Sequence, residues 1–303
     1  MKRTHQLSSG QPLTLQTLRA HGVDVERILS ELVSDPASCG VLLTGSLAAG
    51  NGTPSSDVDL MVLVPHRTSL ISTKEGVRFK NSRFSEALQY CDGIEVNIEL
   101  AERGRVAEIM TWMTAIAPAL YKPSELKFIP IIDGPELRFL HRLRAGLPLM
   151  NPSLVASWRD EFLVELLPTY LTVRHFMEVH EYLEDAISHR AVSEESSRHV
   201  ARIAVEEALV SILASLGVTS AARKWLLIES RKAMATAGEV DRGLLEEGLQ
   251  LHADCATGPL GGCLTRIEAL HQRMAQRMSA EPELARAVEF LQGSIDYVLE
   301  HQG

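Results

Sequence analysis

As far as residue 145 the chain alternates short apolar runs with amphipathic ones, and beyond residue 153 only helical periodicity is left. Between the two regions, Gly146-Leu147-Pro148 and Asn151-Pro152-Ser153 carry the punctuation of a boundary. Strands and helices followed by helices alone predict an α+β chain. Residues 1–150 should form a small mixed β-sheet domain with flanking helices, and residues 151–303 an all-α helical bundle. A length of 303 residues fits two domains of about 150 each.

In the first half, Asp24 stands where an N-cap belongs, ahead of Val25, Ile28, Leu29, Leu32 and Val33 at helical spacing. Gly40–Thr44 reads as a buried strand, and Val58–Val64 as a second one closed by Pro65. Asn51 to Ser56 between them is turn chemistry. Val77–Lys80 reads as a short exposed strand, Arg83–Tyr90 as a helix and Asp92-Gly93 as a turn. Ile94 to Leu100 then alternates strictly, with Glu95, Asn97 and Glu99 on one face and Ile94, Val96, Ile98 and Leu100 on the other. Phe128–Ile132 is expected to be the last strand, before a helix opened by Gly134-Pro135. In the second half helices are expected near 154–189, 194–216, 219–237, 239–253, 262–278 and 282–301.

The chemistry concentrates in Leu43-Thr44-Gly45-Ser46-Leu47 and, ten residues after Ser46, Asp57-Val58-Asp59-Leu60. A strand ends at Gly45-Ser46, where backbone N–H groups can face an anion, glycine allows close approach and Ser46 adds a hydroxyl. On the next strand Asp57 and Asp59 stand at i and i+2, so both carboxylates lie on one face while Val58, Leu60 and Val62 point into the core. At about 4 Å and an effective dielectric near 20, two such charges repel by roughly 4 kcal/mol. A divalent cation removes that cost, and Mg²⁺ is commonly held by one or two carboxylates plus substrate phosphates. If the alternating strand lies beside this one, Glu95 completes a triad of acids. Such a triad suits one or two metal ions about 3.5–4 Å apart, or a general base on an attacking hydroxyl.

Gly-Ser, a spacer of ten, Asp-x-Asp-Leu and a later acidic strand resemble the polymerase-β-like nucleotidyltransferase superfamily. Within it, Thr44-Gly45-Ser46 with Ser56-Asp57-Val58-Asp59-Leu60, and Ile94-Glu95-Val96-Asn97-Ile98, are similar to segments of the streptomycin/spectinomycin aminoglycoside adenylyltransferases. The resemblance covers about residues 40–100 and is weak beyond, where only Val205–Leu227 with Lys224-Trp225 is loosely similar. It implies an α+β enzyme that transfers AMP from ATP to a hydroxyl of a small molecule such as an aminoglycoside, releasing pyrophosphate. Gly45, Ser46 and Ser56 would bind the nucleotide with Lys224, Asp57, Asp59 and Glu95 would hold Mg²⁺, and Glu95 would activate the acceptor. An antibiotic-resistance role and a biosynthetic role would use the same site.

Alternatives stay open. Glu99 or Asn97 takes the third position if the register differs, and Glu99 otherwise sits on a solvated strand face. Arg78, Lys80 and Arg83 line the phosphate path or the surface, and Lys224 reaches a phosphate or stays on the surface. Arg174-x5-His180 has the spacing of the ribonuclease motif of HEPN domains, helical modules often coupled to small nucleotidyltransferases, and a second reading is an antitoxin-like nucleotidyltransferase that AMPylates a HEPN-type protein partner. Six residues rotate by about 240° on a helix, however, so the two side chains share no face. A catalytically silent nucleotide-binding relative is a third reading. Glu178, Glu181, Glu184 and Asp185 line an acceptor cleft or a solvated face. His252, Cys255 and Cys263 lack a fourth metal ligand at standard spacing.

Residues 1–150 carry 16 Lys+Arg and 16 Asp+Glu, so the whole net charge of −9 sits in residues 151–303. That argues against bulk nucleic acid and suits a cationic acceptor. No run approaches the roughly 18 apolar residues of a membrane span, and no apolar run follows the first charges, so a cytoplasmic protein, monomer or homodimer, is expected.

Overall fold

The computed structural model describes residues 13–53, 56–65, 77–79, 83–120, 131–220, 223–282, 284–286 and 288–289. The chain is α+β. Helices α1 (Leu15–Ala20) and α2 (Val25–Leu32) precede strand β1 (Gly40–Thr44), the one-turn helix α3 (Gly45–Ala48) and strand β2 (Val58–Val64). Strands β3 (Val77–Phe79), β4 (Phe84–Cys91) and β5 (Ile94–Glu102) follow, then helices α4 (Arg103–Ala119) and α5 (Gly134–Ala145), strand β6 (Leu147–Met150) and helix α6 (Pro152–Glu161). The six strands form one sheet in the order β3-β4-β5-β2-β1-β6. The β2–β5 pair is parallel and the other pairs are antiparallel, so the sheet is mixed.

Asp24 caps α2 as its sequence implies, its carboxylate accepting from the Arg27 N–H. Val25, Ile28, Leu29 and Leu32 of that helix are buried in one cluster with Val41, Leu43, Val58, Leu60, Val62, Val96, Ile98 and Leu100. This is the core face that the alternation at 94–100 foretold. On the opposite face the aromatic rings of Phe84, Phe139, Phe162 and Trp158 pack together, with Phe139–Phe162 centroids 5.2 Å apart.

One expectation fails here, and another falls mostly outside the described residues. The helix expected at Arg83–Tyr90 is a strand instead, over Phe84–Cys91. Its Phe-Ser-Glu-Ala-Leu-Gln run is compatible with a helix, but Asp92-Gly93 adopts φ of +49° and +85° and folds β4 back on β5. That turn matches the twist of a hairpin, and sheet pairing overrides local propensity. Of the strand expected at Phe128–Ile132, residues 128–130 lie outside the described residues, and Ile131 and Ile132 form none. The strand that does form is β6, within the punctuation at 146–153. Pro148 is tolerated there because β6 is the sheet's edge.

Contacts divide the chain into two compact units, Met1–Thr114 with Ile132–Glu165, and Ala115–Ile131 with Leu166–Gly303. The second unit contains α7 (Leu167–His189), α8 (Glu194–Ser215), α9 (Leu226–Met234), α10 (Glu239–Thr257) and α11 (Leu260–Ser279). The long pattern at 154–189 is therefore split, into α6 and α7, around Leu163 at φ +48°. The expected helix at 282–301 lies mostly outside the described residues. A Cβ on Gly248 of α10 would come within 2.6 Å of Leu209 of α8, so glycine is what lets these two helices approach. Ser211 of α8 donates to the Thr172 carbonyl of α7 at 2.9 Å, satisfying a buried hydroxyl. No described helix is long and apolar enough to cross a membrane.

Candidate active site

The β1–β2 register sets Thr44 opposite Asp59, and the β2–β5 register sets Asp59 opposite Asn97 and Met61 opposite Glu99. Continued by one step, the second register sets Asp57 level with Glu95. Asp57, Asp59, Glu95, Asn97 and Glu99 therefore share one face of the sheet, with the triad that the sequence singled out among them. The same face turns apolar towards Met61, Leu63 and Ala101, all buried.

Each acid has its own partner. The Gly45 backbone has φ +67°, and a Cβ there would lie 1.9 Å from Asp59 Oδ2. The Asp59 carboxylate thus packs directly on the bare Cα of the Gly-Ser turn, which only glycine permits. Thr44 Oγ1 donates to the Asp59 carbonyl at 3.3 Å and ties the turn to β2. Asp57 Oδ2 accepts from the Asn97 amide at 2.5 Å. Glu95 accepts from the Tyr90 hydroxyl at 3.2 Å, and that hydrogen bond, with the carboxylate's charge, raises the Tyr90 pKa. Glu99 is 3% exposed rather than solvated, and neither of its carboxylate oxygens has a hydrogen-bond partner. Instead it faces two arginines of α5: Arg142 Nη1 lies 3.4 Å and Arg138 Nε 4.0 Å from Glu99 Oε2. Arg142 Nη2 also lies 3.7 Å from Asp59 Oδ1.

The ligand atoms of Asp57, Asp59 and Glu95 do not all fall within 4.8 Å of one another. The face is therefore a set of hard oxygen donors from neighbouring strands, each leaning on a local partner. The buried Glu99 oxygens, which make no hydrogen bond, and the close Asp59–Gly45 contact fit a site built for a cation with oxygen ligands. Arg138 and Arg142 did not stand out in the sequence. Their i,i+4 spacing was a visible stripe of two cations, but nothing said which face of the sheet the stripe would cover.

The nucleotide-binding candidates are less concentrated. Ser46 follows Gly45 in the short helix α3. The Ser56 hydroxyl accepts from the Thr53 N–H at 2.8 Å, an interaction that closes the turn before β2. Lys224 belongs to the helical unit, with its ammonium 5.2 Å above the Trp225 ring. Arg83 pairs with Glu108 and with Glu136 and stacks on Trp112, which is a structural role. Lys80 and the Arg78 side chain lie outside the described residues.

In the helical unit, His175, Glu178 and Glu207 bring ligand atoms within 4.8 Å, the group of this kind among the described residues. Arg174 already pairs with Glu178 at 2.9 Å, and Arg223 with Glu207. Two cations on the same carboxylates make this an ion-pair cluster. Arg174 and His180 do not converge: each pairs with a glutamate four residues on, His180 Nε2 lying 3.3 Å from Glu184. Cys255 and Cys263 are buried, and burial together with the Cys263 thiol pushes Cys255 up to about 12, leaving it a poor metal ligand.

The family model of the nucleotidyltransferase domain matches residues 24–116. The matched stretch is under a third of the chain and contains every acid of this face together with Gly45 and Ser46. It ends within α4, ahead of α5 and its arginines. Among solved structures, the chain is similar to a nucleotidyltransferase-like protein from Exiguobacterium sibiricum 255-15, with 10% identity, a TM-score of 0.44, and coverage of 95% of this chain and 91% of that one. No curated protein matches this sequence.

Proposed function

We propose that this chain is a Mg²⁺-dependent nucleotidyltransferase that moves a nucleoside monophosphate, AMP from ATP, to a hydroxyl of a small-molecule acceptor and releases pyrophosphate. The observation that carries this reading is the contact between Asp59 and Gly45, which joins a phosphate-accepting turn to a pair of carboxylates within the matched domain. Asp57 and Asp59 would hold the metal, with Glu95 as the third acid. When bound, the metal supplies charge neutralisation for the triphosphate and for the pyrophosphate that leaves. The chain's own residues do the rest. The Gly45-Ser46 turn orients phosphate oxygens through its N–H groups and hydroxyl, and Ser56 is a further candidate for the nucleotide. Glu95, held by Tyr90, takes the proton of the acceptor hydroxyl as it attacks. Positioning and charge stabilisation account for most of the rate.

A polycationic aminoglycoside is the acceptor best matched to the net charge of −9 in residues 151–303. The test is pyrophosphate release from each of the four nucleoside triphosphates with Mg²⁺, against an aminoglycoside panel that includes streptomycin and spectinomycin. Acceptor-dependent release with ATP is expected, and Asp57→Asn or Asp59→Asn should abolish it with the circular dichroism spectrum unchanged. Full activity in either variant would sink the assignment.

A further inference from the structure

Glu99 is the most deeply buried acid on the candidate face, and it has no hydrogen bond in exchange for its lost hydration. An ionised carboxylate in that position is tolerable only beside a cation. The nearest is Arg142 at 3.4 Å, with Arg138 at 4.0 Å. The same Arg142 guanidinium lies 3.7 Å from Asp59 Oδ1. Both spacings exceed hydrogen-bond length, so one cation is shared between two anions and seated fully on neither. Glu99 pulls it one way and Asp59 the other.

We propose that Arg142 is a positioning residue whose division between Glu99 and Asp59 sets how readily the Asp59 carboxylate accepts a divalent cation. The inference rests on the nucleotidyl-transfer reading of this face and adds a control to it. A guanidinium leaning on Asp59 repels a metal there, and the buried Glu99 charge draws the guanidinium back. The two residues therefore act in opposite directions. Removing the Arg142 charge should tighten metal binding. Removing the Glu99 charge, at almost unchanged volume, should release Arg142 to Asp59 and weaken it. A purely structural role would make both variants worse together.

The experiment is a Mn²⁺ titration of the full chain with ATP present, read by the electron paramagnetic resonance of free Mn²⁺. Asp59→Asn marks the background from ions bound elsewhere, and thermal denaturation of every variant checks the fold. Arg142→Gln should lower the Mn²⁺ dissociation constant by about tenfold, and Glu99→Gln should raise it by a few-fold. Arg142→Lys should stay near wild type. Saturating Mn²⁺ should raise the melting temperature of Arg142→Gln more than that of wild type. Binding by wild type with no shift in the variants, or with shifts of the same sign, overturns this inference and leaves the functional reading standing. Absence of any Asp59-dependent Mn²⁺ site in wild type overturns both.

Discussion

Single residues decide whether the two halves of the candidate site can touch. Gly45 is the sharpest case. An L-residue at φ +67° costs about 1–2 kcal/mol in backbone strain, and its Cβ would also displace the Asp59 carboxylate. Gly45→Ala should therefore lower the urea midpoint and nearly abolish pyrophosphate release; turnover and stability like wild type would show that the turn accepts a side chain. The sequence marked Gly45, Asp57, Asp59 and Glu95 by their residue types and spacing. It could not mark Arg142, whose position depends on which face of the sheet α5 covers. His175 is a second residue with a measurable signature. Burial alone would lower its pKa, but hydrogen bonds to Glu178 and Glu207, and their charges, outweigh burial and hold it above 6.5. Protonated His175 then contributes stability that is complete below its unfolded pKa and is lost as pH rises through the folded one. Glu178 runs the other way. Burial opposes its charge, but His175 and Arg174 win and hold it at about 2, so its contribution is present above 4.5 and lost as pH falls through about 2. The contributions of His175 and Glu178 are therefore both present between 4.5 and 6.5. The stability gap between wild type and His175→Gln should be widest near about pH 6 and narrow as pH rises above 6.5. A gap that ignores pH would mean that His175 is neutral in the fold.

At the level of elements, the hairpin shows local and non-local signals in conflict. Residues 84–91 carry no strict alternation, with Leu88 and Tyr90 exposed and Phe84, Ser85 and Ala87 buried, so their strand character is hidden until β5 pairs with them. The Asp92-Gly93 turn was legible; its consequence for the preceding segment was not. Gly93 at φ +85° holds the turn, and Gly93→Val should cost about 1–2 kcal/mol in urea denaturation and disturb the nearby Tyr90–Glu95 contact. In the helical unit the matching test is Gly248→Leu. The added side chain meets Leu209 in a packed interface, for an expected loss of about 1–3 kcal/mol read as a lower urea midpoint. No loss would mean that α8 and α10 separate freely. Most helices were readable because their apolar spacing runs for several turns, and α8, α10 and α11 lie close to where that spacing puts them. The break between α6 and α7 was not, because the apolar pattern runs on across it.

Across the whole molecule the charge is asymmetric, and the consequence belongs to the proposed acceptor. If a cationic aminoglycoside binds against the acidic half, its KM should rise several-fold as salt goes from about 50 to 300 mM, while a neutral acceptor's would not. Initial rates of pyrophosphate release at fixed ATP would measure this. The sequence by itself determined the α+β class, the strands that carry the acids and which residues of each strand share a face. Those are matters of local spacing: a period of two along a strand, a period of 3.6 along a helix, and a glycine where a strand must turn. The tertiary structure alone decided that residues 84–91 pair as a strand and that 147–150 close the sheet's edge. It alone buried Glu99 and brought Arg142 between Glu99 and Asp59. Each of these depends on packing between segments far apart in the chain, and spacing within one segment carries no information about that.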